Sequence, residues 1–90
     1  MLPIVWRAEA RDDLAAILIY IANRNVLAAD RLRSAIDDAV ERLASFPYLY
    51  RPGRIEGTRE AVVTPNYVVV YRVAEVIDVL AVLHARQQYP

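Results

Sequence analysis

The chain has 90 residues, of which 57% are apolar, and its 11 basic and 11 acidic side chains leave no formal net charge. This length holds one hydrophobic core, so we expect a single domain over residues 1–90. The apolar fraction excludes a disordered tail, and the charge balance argues against binding to nucleic acid through a basic surface. Because the sequence has no cysteine and one histidine, we expect no metal site and no other cofactor.

No apolar run approaches the ~20 residues that span a bilayer. The apolar run before Arg7 is too short for a signal peptide. We therefore expect a cytoplasmic protein that does not enter a membrane.

A short strand over residues 2–6 is predicted first, with Pro3 suited to a sheet edge. Two amphipathic helices follow, joined by residues 23–25 into an antiparallel hairpin. Asn25 is the predicted N-cap of the second helix, and Pro47 ends it. The predicted buried stripes are Ala10, Leu14, Ile17, Leu18 and Ile21 in the first helix, and Ala29, Leu32, Ile36, Ala39, Leu43 and Phe46 in the second.

Residues 48–58 form a predicted loop that contains Gly53 and Gly57. Strands are predicted over residues 59–63, 66–73 and 76–83. The predicted element order is therefore β-α-α-β-β-β. Consecutive strands with short links pair antiparallel. We predict an α+β domain in which the helical hairpin packs on one face of a mainly antiparallel four-stranded sheet.

The register of the last two strands decides which sheet face meets the helices. A two-residue turn at residues 74–75 would pair Val73 with Val76. The face then predicted to pack on the helices carries Val68, Val70, Ile77, Val79, Ala81 and Leu83. The face predicted to be open to solvent or a partner carries Tyr67, Val69, Tyr71, Asp78, Leu80, Val82, His84 and Arg86. A shift of one residue would exchange the faces.

Ionisable side chains gather near the end of the last strand, where His84, Arg86 and Tyr89 follow one another. Metal-free RNA cleavage needs a base, a cation and an acid, and these residue types supply them, with Arg54 or Arg59 as further cations. The alternative is structural, because tyrosine and histidine are common on half-buried sheet surfaces. Arg54 and Arg59 also have a structural alternative, because exposed arginines beside glutamates often form weak ion pairs.

Several segments, in this order, resemble the RelE/ParE superfamily of toxins. They are residues 7–14 (RAEARDDL), 51–54 (RPGR), 57–60 (GTRE), 66–73 (NYVVVYRV) and 82–87 (VLHARQ). The resemblance covers essentially the whole chain and agrees with the predicted element order. It implies a small toxin of a type II toxin–antitoxin module, held inactive by an antitoxin encoded beside it.

The superfamily has a branch that cuts messenger RNA in the ribosome and a branch that inhibits DNA gyrase. Many of its nucleases carry an arginine after the tyrosine that starts the third strand, where this chain has Val68, and they are rich in lysine, which this chain lacks. The resemblance therefore favours a ParE-like gyrase inhibitor. The residues then expected to face the target are Arg54, Arg59, His84, Arg86 and Tyr89.

Two alternatives remain open from the sequence. In a RelE-like ribosome-dependent endoribonuclease, Arg59, His84, Arg86 and Tyr89 would be the catalytic residues. In a module without toxicity, the chain would only pair with its antitoxin. Each interpretation implies an antitoxin that lays a helix on the hairpin and an extended segment along the sheet edge. The expected antitoxin contacts are Ile19, Leu27, Leu80 and Val82.

Overall fold

In the computed structural model, which describes residues 1–89, two helices pack on one face of a five-stranded sheet. The elements are β1 (Ile4–Trp6), α1 (Ala8–Ala22), α2 (Val26–Ser45), β2 (Arg51–Pro52), β3 (Arg59–Thr64), β4 (Tyr67–Val73) and β5 (Ile77–His84). The strand order is β1-β5-β4-β3-β2, with β1 parallel to β5 and every other pair antiparallel. The predicted α+β class is confirmed.

The sheet has one strand more than predicted, because β2 lies in the segment that the sequence marked as loop. Arg51 and Pro52 pair with Glu60 and Arg59 at the edge of the sheet. The turn between β2 and β3 is closed by Gly53 N–H, which donates to Thr58 O at 2.7 Å. A Cβ at Gly53 would overlap Thr58 Oγ1, so this turn requires glycine there.

The helical hairpin follows the predicted stripes. Asn25 is the N-cap of α2, and its side-chain oxygen accepts a hydrogen bond from Ala28 N–H at 3.0 Å. The predicted apolar residues of both helices are buried or pack against the core. Phe46 is the exception: α2 ends at Ser45, the chain leaves the helix axis, and this side chain lies in solvent.

The predicted register between β4 and β5 is wrong. The turn contains three residues, closed by Ala74 N–H donating to Val76 O at 3.0 Å, so Val73 pairs with Ile77. Leu80 is then an extra residue in β5, because Tyr71 pairs with Val79 and the next pair joins Val70 to Ala81. Such a β-bulge shifts the side-chain alternation by one residue along the rest of the strand.

The predicted faces are therefore largely exchanged. Residues predicted to be open belong to the core between sheet and helices: Tyr67, Val69, Tyr71 and Val82. Ile77 and Val79 do face the helices, as predicted, since they precede the bulge. Val70, Ala81 and Leu83, predicted to meet the helices, form a separate cluster with Leu80 and Tyr89. The open face of tyrosines on which the site prediction depended does not exist.

Candidate interaction surfaces

The residues after β5 fold back as a C-terminal strap, defined as residues 85–89. Ala85 N–H donates to Asn66 O at 2.7 Å, and Gln87 N–H donates to His84 O at 2.9 Å. Tyr89 packs with Leu80 against the cluster of Val70, Ala81 and Leu83. The strap thus contributes to burying the apolar residues that do not face the helices.

His84 takes part in the turn that starts the strap. Its Nδ1 accepts a hydrogen bond from Arg86 N–H at 3.1 Å, so in the neutral ring the proton lies on Nε2. Its ring meets the ring of Tyr67, the residue it pairs with, edge-on at 5.3 Å between centroids. Within residues 1–89, His84 forms no ion pair with a carboxylate. This arrangement positions the imidazole but gives it no acidic partner.

Arg54 joins three parts of the chain. Its backbone N–H donates to Glu60 Oε2 at 2.9 Å, its Nε lies 3.3 Å from the same oxygen, and its Nη1 donates to Gln87 O at 3.1 Å. Glu60 is buried, and Arg51 Nη2 lies 3.5 Å from its other oxygen. Arg54 therefore fastens the β2–β3 turn and the strap to β3.

Arg59 lies apart from the other predicted target-facing residues. It pairs with Tyr71, whereas His84 pairs with Tyr67, four residues and roughly 13 Å away along β4. Its Nη1 donates to Tyr50 O at 2.6 Å, and its guanidinium lies 4.8 Å from the centroid of the Tyr48 ring. The structure brings Arg54, His84, Arg86 and Tyr89 together in and beside the strap, but not Arg59.

Some of the predicted antitoxin contacts are exposed in the structure, and others are not. Ile19 and Leu27 are exposed at the tip of the helical hairpin, where Tyr20 and Val26 are exposed beside them. Leu80 is half-buried in the bulge. Val82 is buried in the core, because the bulge turns it toward the helices, so its side chain is not exposed to a partner.

A largely apolar groove adjoins the hairpin tip. Its volume is about 480 Å³, and its lining includes Ile21, Ala28, Leu32, Ala35 and Tyr67. It runs between the helices and the β3–β4 turn, at Thr64 and Asn66. Its shape and lining suit an apolar helix or side chain of a partner.

A further exposed surface is not predicted by the sequence, because the helical period places Phe46 in the buried stripe and residues 48–50 belong to the predicted loop. Phe46, Tyr48 and Leu49 are all exposed in the segment between α2 and β2. The signal available in the sequence was the density of aromatic residues around Pro47, directly after a helix end.

Over the described residues, 1–89, no three histidine or acidic side chains are placed to hold a metal ion. None of the helices in that range has both the length and the apolar character needed to cross a membrane.

Comparison with known proteins gives matches over nearly the whole chain. A family model described as "ParE toxin of type II toxin-antitoxin system, parDE" matches residues 4–89. The protein named "Putative toxin Y4kP" from Sinorhizobium fredii is 40% identical over 86 residues, covering 94% of this chain and 90% of that one. "Toxin RelE2" from Caulobacter vibrioides is 36% identical over 88 residues, covering 94% and 97%.

A solved structure has the same fold. It is described as "Chromosomal ParDE TA system from P. aeruginosa" and matches with a TM-score of 0.81, covering 93% of this chain and 96% of that chain. The sequence identity is 21%, so this likeness concerns the fold alone.

Proposed function

The chain belongs to the ParE toxin family of type II toxin–antitoxin systems, and we propose that its target is DNA gyrase, which it inhibits by binding and without a catalysed reaction. The observation that carries the proposal is Val68. It occupies the place where many of the related nucleases carry an arginine, and it is buried in β4 between β3 and β5. The chain thus offers no cation there for a cleaved phosphate.

The arrangement of the ionisable residues supports a binding protein. General acid–base catalysis needs its groups within hydrogen-bond reach of one reacting centre. His84 Nδ1 is occupied by Arg86 N–H, Tyr89 packs on an apolar cluster, and Arg59 lies roughly 13 Å along the strands from His84. These groups do not converge on one point.

A supercoiling assay with purified DNA gyrase tests the proposal. We expect the purified toxin to inhibit supercoiling in a dose-dependent way and its antitoxin to restore it. Induction in cells should activate the DNA damage response before protein synthesis falls. Unchanged supercoiling at a large excess of toxin that still arrests growth would exclude gyrase as the target.

The second candidate function is ribosome-dependent cleavage of messenger RNA. The observation that favours it is the 36% identity to a protein named "Toxin RelE2". In that case His84, Arg86, Tyr89 and Arg59 would act on the RNA. Primer extension on messages from toxin-expressing cells would show cuts in phase with codons, and intact messages during growth arrest would rule it out.

The partner in either case is an antitoxin, and we propose that it binds the hairpin tip. Ile19 and Leu27 are exposed there beside the apolar groove, which suits a helix of the antitoxin. Beyond the end of β1, one N–H of the β5 edge is capped by a side chain: Asp13 Oδ2 accepts from Val82 N–H at 3.1 Å. An extended segment that pairs with this edge near Leu80 would have to displace that carboxylate.

We also propose that Arg86 faces the target, and that the toxin acts in the cytoplasm, where gyrase is found. Within residues 1–89, two of the five predicted target-facing residues, Tyr89 and Arg86, have side chains that form no hydrogen bond or ion pair. Tyr89 packs in an apolar cluster, which leaves Arg86 as the residue without a side-chain partner. It is exposed, so its guanidinium is available to a partner. The other four have contacts within the fold, and a role for them at the target would be added to that structural role.

A further inference from the structure

The loop between α2 and β2, residues 46–50, presents a cluster of large apolar side chains to solvent. Phe46, Tyr48 and Leu49 are 61%, 66% and 55% exposed. A single exposed apolar residue is ordinary on a protein surface, but a contiguous group is a mark of an interaction site. This loop is not part of either surface that the sequence predicted.

The loop is held in place by the interior of the protein. The hydroxyl of Tyr71, a fully buried residue, donates to Pro47 O at 2.9 Å. Arg59 Nη1 donates to Tyr50 O at 2.6 Å, and Leu49 N–H donates to Phe46 O at 3.2 Å across the turn. A loop fixed in this way loses little conformational entropy when it binds, which favours affinity.

The chemistry of the loop is that of a protein-binding site. Tyrosine and arginine are enriched among the residues that dominate protein–protein binding energy, and here the Arg59 guanidinium lies against the Tyr48 ring. Arg42 Nη2 lies 3.4 Å from the Tyr50 hydroxyl. Within residues 1–89, neither Arg42 nor Arg59 has a carboxylate at ion-pair distance. A partner with an apolar pocket and acidic groups at its rim fits this surface.

The position of the loop separates it from the hairpin tip. The two lie at opposite ends of α2, whose 20 residues span roughly 30 Å, in a molecule that measures 37 Å in its longest dimension. A toxin of this kind needs two protein contacts, one with its antitoxin and one with its target. The structure has two separate exposed apolar surfaces for them.

We propose that residues 46–50 form the surface through which the toxin docks on its target protein, with Tyr48 and Leu49 as the main apolar contacts. This rests on the proposed function, in that it assumes a protein target. The occupant is the target and not the antitoxin, which we place at the hairpin tip.

The test is the double variant Tyr48→Ala/Leu49→Ser. Both side chains are exposed, so we expect an unchanged thermal unfolding curve and unchanged co-purification with the antitoxin encoded beside the toxin. We expect growth arrest on induction to be lost, and the toxin concentration that half-inhibits supercoiling to rise about tenfold or more. The matched control is Val62→Ser, an exposed apolar residue on β3, which should behave as the unaltered toxin.

Three results would overturn the inference. Growth arrest and supercoiling inhibition equal to those of the unaltered toxin would show that the loop is not used. Loss of antitoxin co-purification with full toxicity would assign the loop to the antitoxin. A dimer of the unaltered toxin that the double variant cannot form, with toxicity retained, would assign it to a second copy.

If the unaltered toxin arrests growth but leaves supercoiling unchanged, gyrase is the wrong target, and loss of arrest in the double variant still supports the loop.

Discussion

Asp78 is a buried carboxylate that two arginines from other parts of the chain hold in place. Arg7 Nε and Nη2 donate to its two oxygens at 2.7 and 2.8 Å, and Arg72 Nη2 donates at 3.1 Å. These bonds, that of Arg7 above all, hold the pKa of Asp78 below its ordinary value of 3.8. The ionised carboxylate therefore stabilises the fold above the pKa of the unfolded chain, and this contribution is lost as the pH falls through the lower pKa of the folded state.

The substitution Asp78→Asn should lower the free energy of unfolding at pH 7 by about 1–2 kcal/mol. The loss is no larger because both arginines are half exposed, and solvent screens their attraction to the carboxylate. The variant should also lose less stability than the unaltered chain as the pH falls below 3.8, the ordinary pKa of this carboxylate. Urea unfolding across this range measures both effects. Asp37→Asn, which removes an exposed carboxylate 4.0 Å from Arg33, is the control. Parallel pH profiles for Asp78→Asn and the unaltered chain would contradict the argument.

Tyr71 offers a second test at a single residue, because its ring is buried in the core while its hydroxyl holds the loop at Pro47. Tyr71→Phe keeps the ring and removes the hydrogen bond, so it should cost about 1 kcal/mol of stability. It should also weaken target inhibition by loosening residues 46–50. Tyr67→Phe is the matched control, since the Tyr67 hydroxyl makes no hydrogen bond within residues 1–89.

The pH dependence of stability gives an independent measure of the same residue. Burial raises the pKa of Tyr71 above its ordinary value of 10.0, and the charge of Arg59 opposes this. The neutral phenol thus contributes stability that is present below pH 10.0 and is lost as the pH rises through the higher pKa of the folded state. Tyr71→Phe should show a smaller alkaline loss than the unaltered chain, and an equal loss would argue against the burial of a neutral phenol.

At the scale of the element, the strap depends on Arg54. Arg54→Ala removes the bond to Gln87 O and one partner of Glu60, so residues 85–89 should open more often. We expect the free energy of this local opening to fall by about 1–2 kcal/mol, so the strap should open roughly 5–30 times more often. Trypsin cleavage after Arg86, which is exposed in the strap, should accelerate by a similar factor.

The control for the strap is Arg51→Ala. Arg51 contacts the same carboxylate of Glu60 at 3.5 Å but makes no hydrogen bond to the strap. Cleavage after Arg86 should stay near that of the unaltered toxin in this variant. Equal acceleration in both variants would mean that the charge balance of Glu60, and not the Gln87 bond, holds the strap.

The elements differ in how far the sequence could predict them. The helices were predictable because apolar and charged residues alternate there with helical period, and Asn25 marks the start of α2. The register of β4 with β5 was not, because β4 is apolar on both faces, so its pattern carries no information about which face meets the helices. The turn length at residues 74–76 and the bulge at Leu80 then decided the faces.

The same limit applies to the candidate sites. The exposure of Ile19 and Leu27 follows from the helical stripe, so these positions were predictable from the sequence. The contacts of Arg54 with Gln87 and of Tyr71 with Pro47 join residues 33 and 24 positions apart, and no local pattern indicates them. The loop of residues 46–50 was missed because its exposure depends on where the chain leaves α2.

At the scale of the whole molecule, the two ends of α2 should be separable in function. Ile19→Ser/Leu27→Ser alters the hairpin tip, where we propose that the antitoxin binds, and burying each aliphatic side chain against its helix would contribute about 1.5–3 kcal/mol. Loss of either contact should weaken antitoxin binding about tenfold or more. Because the antitoxin stabilises the folded toxin by mass action, the rise in melting temperature on adding a fixed concentration of antitoxin should shrink in this variant. We assign supercoiling inhibition to the other end of α2, so the tip variant should inhibit supercoiling as the unaltered toxin does. If the tip variant loses inhibition and antitoxin binding together while remaining folded, one surface serves both partners and the division along α2 is wrong.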